Sequence, residues 1–130
     1  MLDVRARRHA GVSSMFLVLA AVVATAAVGA TKPAPKVIGN PTAGKAVYAA
    51  NCAACHTLKA AGAVGANGPN LDKLILPEAT TIKEVQIGGS SLMGAAGKKY
   101  PIQMQGYKST LTAKQINDVS AFVYVSTHKS

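Results

Sequence analysis

A chain of 130 residues with a formal net charge of +9 is long enough for one domain and too short for two sizeable ones. Its two cysteines are too few for a disulfide framework, so a small core must find other reinforcement. The charge alone would suit nucleic acid, but no arginine follows Arg8, aromatic residues make up only 5% and no nucleic-acid-binding motif is present, which excludes that partner.

Arg5, Arg7 and Arg8 stand before an apolar run from Met15 to Ala30, the order of a charged n-region and an h-region. Val28-Gly29-Ala30 offers small residues for cleavage, leaving a chain that begins near Thr31. The run also approaches the ~18 apolar residues of a membrane span, so residues 1–30 read as a signal peptide or an N-terminal membrane anchor. Either reading puts the remainder outside the cytoplasm, on the periplasmic side, because the positive end stays inside. Contact with the membrane is expected only if the segment is retained. Residues 31–41 carry Pro33 and Pro35 and read as an extended linker, and residues 42–130 as one domain.

Thr42 is the expected cap of a helix from about Ala43 to Asn51, with Gly44 and Tyr48 on one face. A glycine-rich loop covers Gly62 to Gly68 and ends in Gly68-Pro69-Asn70-Leu71. Asp72 to Ile75 reads as a turn of helix. Thr80 or Thr81 is the expected cap of a short helix through about Ile87, closed by Gly88-Gly89. Ser90 to Tyr107 has no periodicity and reads as a loop; a loop of that length is usually functional. Thr112 is the expected cap of a last helix, in which Ile116, Val119, Phe122 and Val123 recur at helical spacing. No strong strand pattern and no internal repeat appears, so the expected fold class is all-α, short helices joined by long loops.

Between the first helix and the glycine-rich loop lies Cys52-Ala53-Ala54-Cys55-His56. Cys-x-x-Cys-His is the signature of covalent c-type haem attachment. Two thiols three residues apart at a helix end can each add to one vinyl group of a haem edge, and the next residue turns its imidazole toward the iron. Three other readings compete. A redox Cys-x-x-Cys pair belongs in a βαβ context that is absent here. Structural zinc needs four ligands, and His9 and His128 are the remaining Cys or His candidates, both badly placed. A short-range disulfide leaves His56 unexplained.

At this point the sequence resembles the class I, cytochrome c-like family of monohaem c-type cytochromes over about Thr42 to Thr127. The likeness rests on Gly44-Lys45-Ala46-Val47-Tyr48 leading into the Cys52–His56 motif, on Gly68-Pro69-Asn70-Leu71, on Met104-Gln105-Gly106-Tyr107-Lys108, and on the final stretch from Gln115 to Val123. The last two look closest to small carriers with a Met-Pro-Gly-Phe-Lys pattern; Gln105 stands here where many of those have proline, a change that loosens the ligand loop without removing the ligand. The resemblance implies one haem c attached through Cys52 and Cys55, with His56 as proximal and Met104 as distal iron ligand. It also implies that the Pro69 carbonyl accepts the free ring N–H of His56, that Leu71 packs on the haem, and that Gly44 and Tyr48 meet Val119 and Phe122 where the first and last helices cross. Met93 is the competing distal thioether; Met104 is favoured because it lies seven residues before Leu111, the family's spacing.

The function so implied is that of a one-electron carrier in an extracytoplasmic respiratory or photosynthetic chain, monomeric and not itself an enzyme. With both axial positions filled, exchange is outer-sphere through an exposed haem edge. Basic residues such as Lys45, Lys59, Lys98, Lys99 and Lys108 near the ligand segments are expected to steer redox partners with acidic docking surfaces. The alternatives are a haem subunit of a dehydrogenase or oxidase complex, or a gas-binding or sensor haem protein should Met104 not be a ligand.

Overall fold

The computed structural model describes residues 35–89, 94–95 and 98–129. The expected signal or anchor at 1–30 and the alternative ligand Met93 lie outside these residues. The described residues belong to one compact unit spanning residues 32–130. Among them, no helix is long and apolar enough to cross a membrane.

Helix α1 runs Pro41–Asn51. Asn40, not Thr42, is its cap: the Asn40 Oδ1 accepts from the backbone N–H groups of Thr42 and Ala43 at 2.9 and 3.2 Å. Pro41 then occupies the first helical position, where a missing N–H costs nothing. Structure also reaches further back than the expected boundary at residue 42. The N–H of Ile38 donates to both oxygens of Glu78 at 3.1 Å, and that of Asn40 to Asp118 Oδ1 at 2.8 Å.

After Cys52, two backbone bonds into the Cys52 carbonyl, from Cys55 and His56, keep the attachment segment coiled. Thr57–Leu58 (β1) then pairs antiparallel with Ala63–Val64 (β2), Leu58 opposite Ala63. Leu58 and Ala63 are both buried, and this tiny hairpin is the strand structure that the sequence reading lacks. A 3₁₀ turn over Leu71–Lys73 replaces the expected turn at 72–75, with Asn70 capping the Asp72 N–H at 2.9 Å.

Helix α2 runs Glu78–Ile87. It begins ahead of the expected threonine caps and has no side-chain cap at Pro77; Thr81 is buried inside it, its hydroxyl on the Pro77 carbonyl at 3.4 Å. The Ser90 to Tyr107 segment is not irregular throughout, since Gly94, Ala95 and Lys98 are helical. Helix α3 runs Ala113–Thr127 from the expected Thr112 cap, which forms a full capping box with Gln115.

The core is the crossing of α1 on α3, joined by α2. Tyr48, Leu58, Val85, Ile116, Val119 and Phe122 form its buried cluster. Tyr48 meets Phe122 edge to face, centroids 5.7 Å apart. Gly44 sets how close the helices come: a Cβ there would lie 1.9 Å from the Asp118 carbonyl oxygen and 2.9 Å from Phe122 Cβ. The crossing is further tied by Asp118 on α3, whose Oδ1 accepts from the Asn40 cap of α1 and whose Oδ2 takes the Lys114 ammonium of its own helix at 2.6 Å. The result is a mostly helical domain in which α1, α2 and α3 enclose one side of a cavity.

Candidate functional site

The cavity holds about 310 Å³ and is walled by α1, α2 and α3 and by loops between them. That is within the usual range for a cofactor site. Leu71, Leu74, Leu76, Val85, Val119 and Val123 supply apolar wall, and Cys52, Cys55, His56 and Met104 supply the donor atoms. Pro69 lines it as well. Six residues singled out in the sequence (Cys52, Cys55, His56, Pro69, Leu71 and Met104) therefore come together around a single space.

Each is held by local structure. Cys52 is the residue that ends α1, its N–H on the Tyr48 carbonyl. No disulfide joins the two cysteines. Burial, and the neighbouring Cys55 after it, push the Cys52 thiol up to about 11. His56 is 8% exposed, and its Nδ1 lies 2.9 Å from the Pro69 carbonyl oxygen. That contact fixes the ring and leaves Nε2 as the nitrogen free to bind. Gly68 permits it: a Cβ at that position would stand 2.7 Å from His56 Cε1 and 3.2 Å from Nε2. Met104 is half-buried, in a turn fastened to the end of α2 by Tyr107 N–H to the Val85 carbonyl at 2.8 Å and Lys108 N–H to the Gln86 carbonyl at 3.3 Å.

Three features of the site were not read from the sequence. Tyr48 donates its hydroxyl to the His56 carbonyl at 3.2 Å, and Tyr107 donates to the Asn51 carbonyl at 3.1 Å, so two phenols brace the attachment segment. Burial raises the pKa of both, most of all Tyr48. The third is Glu84, 8% exposed on the cavity wall, its carboxyl pKa raised by burial. A Cβ at Gly89 would lie 3.0 Å from its Oε2 and 3.5 Å from Met104 Sδ, so the carboxyl and the thioether share one corner. Glu84 sits next to the core residue Val85, and only the way α2 faces the cavity turns it inward. Tyr100 also lines the cavity, with the Lys99 ammonium 5.3 Å from its ring centroid.

Among the described residues, no group of three or more His, Cys, Asp or Glu is placed to hold a metal ion. The donors present are two thiols at one helix end, one imidazole and one thioether around an apolar cleft. They fit a flat macrocycle that brings its own four nitrogens to a metal and is anchored by thioether bonds, which defines the class as c-type haem proteins. The family model described as Cytochrome c matches residues 41–125, and the chain belongs to the cytochrome c family. No curated protein matches it. One haem c, attached through Cys52 and Cys55, is the cofactor, and the protein is a haem-binding electron carrier that passes electrons to redox partners.

Proposed function

We propose that this cytochrome is a monomeric shuttle of single electrons in an extracytoplasmic respiratory or photosynthetic chain, with His56 and Met104 as its axial ligands. The observation that carries the ligand assignment is that His56 and Met104 both line the cavity that Cys52 and Cys55 enter. The bound haem supplies Fe(III)/Fe(II) exchange; the residues around it set how readily that exchange runs and with whom. His56 is held by its contact to Pro69, so its donor nitrogen is already aimed. Met104 offers a soft, neutral sulfur, which favours the reduced ion and raises the potential. Leu71 contributes apolar packing, and the leucines and valines of the wall keep water from the iron, so little reorganisation accompanies electron transfer.

Partner choice follows from the surface. Lys45, Lys59, Lys98, Lys99 and Lys108 are all exposed, and a basic surface attracts acidic partners at long range. Ile102 lines the cavity yet is 57% exposed, which gives a partner an apolar contact at the rim.

The test is the near-infrared charge-transfer band of thioether-ligated ferric haem, measured on the exported holoprotein and on Met104→Ala. The band is expected in the native protein and lost in the variant, which then binds CO rapidly when reduced. A native protein lacking the band and binding CO at once would replace the shuttle with a gas-binding role. Electron-transfer rates that do not fall with ionic strength would remove lysine steering.

A further inference from the structure

We propose that Tyr107 is a positioning residue for the distal ligand: its hydroxyl straps the Met104 turn to the haem-attachment segment. This rests on the reading of Met104 as ligand. Tyr107 lies three residues beyond Met104, and its hydroxyl crosses 56 residues of sequence to the Asn51 carbonyl. Asn51 is the last residue of α1 and directly precedes Cys52. A single hydrogen bond thus joins the strand of chain that offers the thioether to the strand that offers the thiols and imidazole.

The rest of the turn is fixed elsewhere. The Tyr107 and Lys108 N–H groups bond to α2, and Gly88, at φ +95°, lets that helix end lie against the Met104 carbonyl. Those backbone bonds survive loss of the phenol oxygen, so the hydroxyl can be removed without unfolding the turn. What it adds is a tie to α1.

The sequence makes the same point. In the carriers that the turn resembles, proline and phenylalanine stand where this chain has Gln105 and Tyr107. Replacing proline frees a φ angle that the ring would lock. Gln105 opposes the rise in the Tyr107 pKa that burial causes, so its amide lies near the phenol oxygen. Beside these two departures the Tyr107–Asn51 hydrogen bond takes over a constraint that a ring supplies in the others. A thioether is a weak neutral donor, and an external base displaces it whenever the turn swings away. The strap keeps the turn in place.

The experiment compares Tyr107→Phe with the native holoprotein by titrating the ferric form with imidazole while following the near-infrared band. Ile116→Val serves as a control that loosens the α3 core away from the turn. Imidazole is expected to bind about fivefold more tightly to Tyr107→Phe, the equivalent of the ~1 kcal/mol net worth of one hydrogen bond, and with unchanged affinity to Ile116→Val. Equal affinity in Tyr107→Phe and the native protein, or an equal gain in Ile116→Val, would overturn the strap. A native protein with no band overturns the Met104 ligand reading and the strap with it; a native protein with the band but no change in Tyr107→Phe overturns the strap alone.

Discussion

Gly68→Ala tests whether the imidazole is held as the structure describes. The new methyl would stand 2.7 Å from His56 Cε1, against the 3.4 Å at which ordinary contact begins. Relief requires the ring and the 68–69 segment to separate by about 0.7 Å. The Nδ1 to Pro69 oxygen distance, now 2.9 Å, then approaches ~3.6 Å, beyond hydrogen-bond reach. Without that acceptor the ring N–H holds its proton more closely, the imidazole donates less to iron, and Fe(III) loses stabilisation. One neutral hydrogen bond is worth about 0.5–1.5 kcal/mol net. For a one-electron couple, where tenfold in equilibrium is about 59 mV, this places the rise in midpoint potential at about 20–60 mV. Spectroelectrochemical titration of native and variant holoproteins reads it directly. A potential that stays put or falls would refute the account of how His56 is held.

Further outcomes follow from the packing and the titrating groups. Gly44→Ala gains about 1 kcal/mol of helix propensity but drives a methyl into the Asp118 carbonyl, and overpacking costs about 1–3 kcal/mol; adding the disturbed Tyr48–Phe122 contact, a net loss of roughly 1–3 kcal/mol is expected in denaturant melts, and a more stable variant would mean that the helices separate freely. Asp118 and Glu84 are expected to act oppositely with pH. The Lys114 ammonium and then the Asn40 N–H hold the Asp118 carboxyl below its usual range, so its stabilisation is present above about pH 4 and is lost as pH falls through the lowered value; Asp118→Asn is therefore damaging at neutral pH and nearly harmless in acid. Burial raises the Glu84 pKa, so stability drains as pH rises from about 4 through the raised value, and Glu84→Gln flattens that side of the profile; a variant whose neutral-side slope matches the native one would remove this role.

What was legible in the sequence was what local chemistry decides. Thr112 with Gln115 three residues later, followed by Ile116, Val119 and Phe122 at helical spacing, specifies α3 within its own stretch of chain, and the capping box is there. Cys52–His56 is likewise local, since its meaning lies in the spacing of five residues. The start of α1 was also written locally, in Asn40-Pro41, but Thr42 has the same capping chemistry and drew the assignment two residues too late. The start of α2 was not written locally at all. Pro77 gives no side-chain cap, and Glu78 in the first turn is engaged by Ile38, forty residues away, so the threonines that look like caps end up inside the helix. The β1–β2 pair, two residues a side, is too short to show alternation.

The same division runs through the site and explains why its supports were missed while its candidate donors could be named from the sequence. A motif names the atoms that touch the cofactor, because their spacing follows from the shape of what they hold. The groups that brace those atoms answer to the fold. Tyr107 reaches Asn51 across 56 residues because α1 and the Met104 turn happen to meet beside the cavity. Glu84 turns toward Met104 because Val85, its neighbour, is claimed by the core on the adjoining face of α2. Neither relation has a spacing to be recognised by. The one trace they leave is a departure from pattern: a glutamine and a hydroxyl where proline and a bare ring stand in the carriers that this turn resembles, and a carboxylate in a mostly apolar wall. Such departures are where individual behaviour is set within a shared pattern, and here they cluster on the thioether side of the cavity.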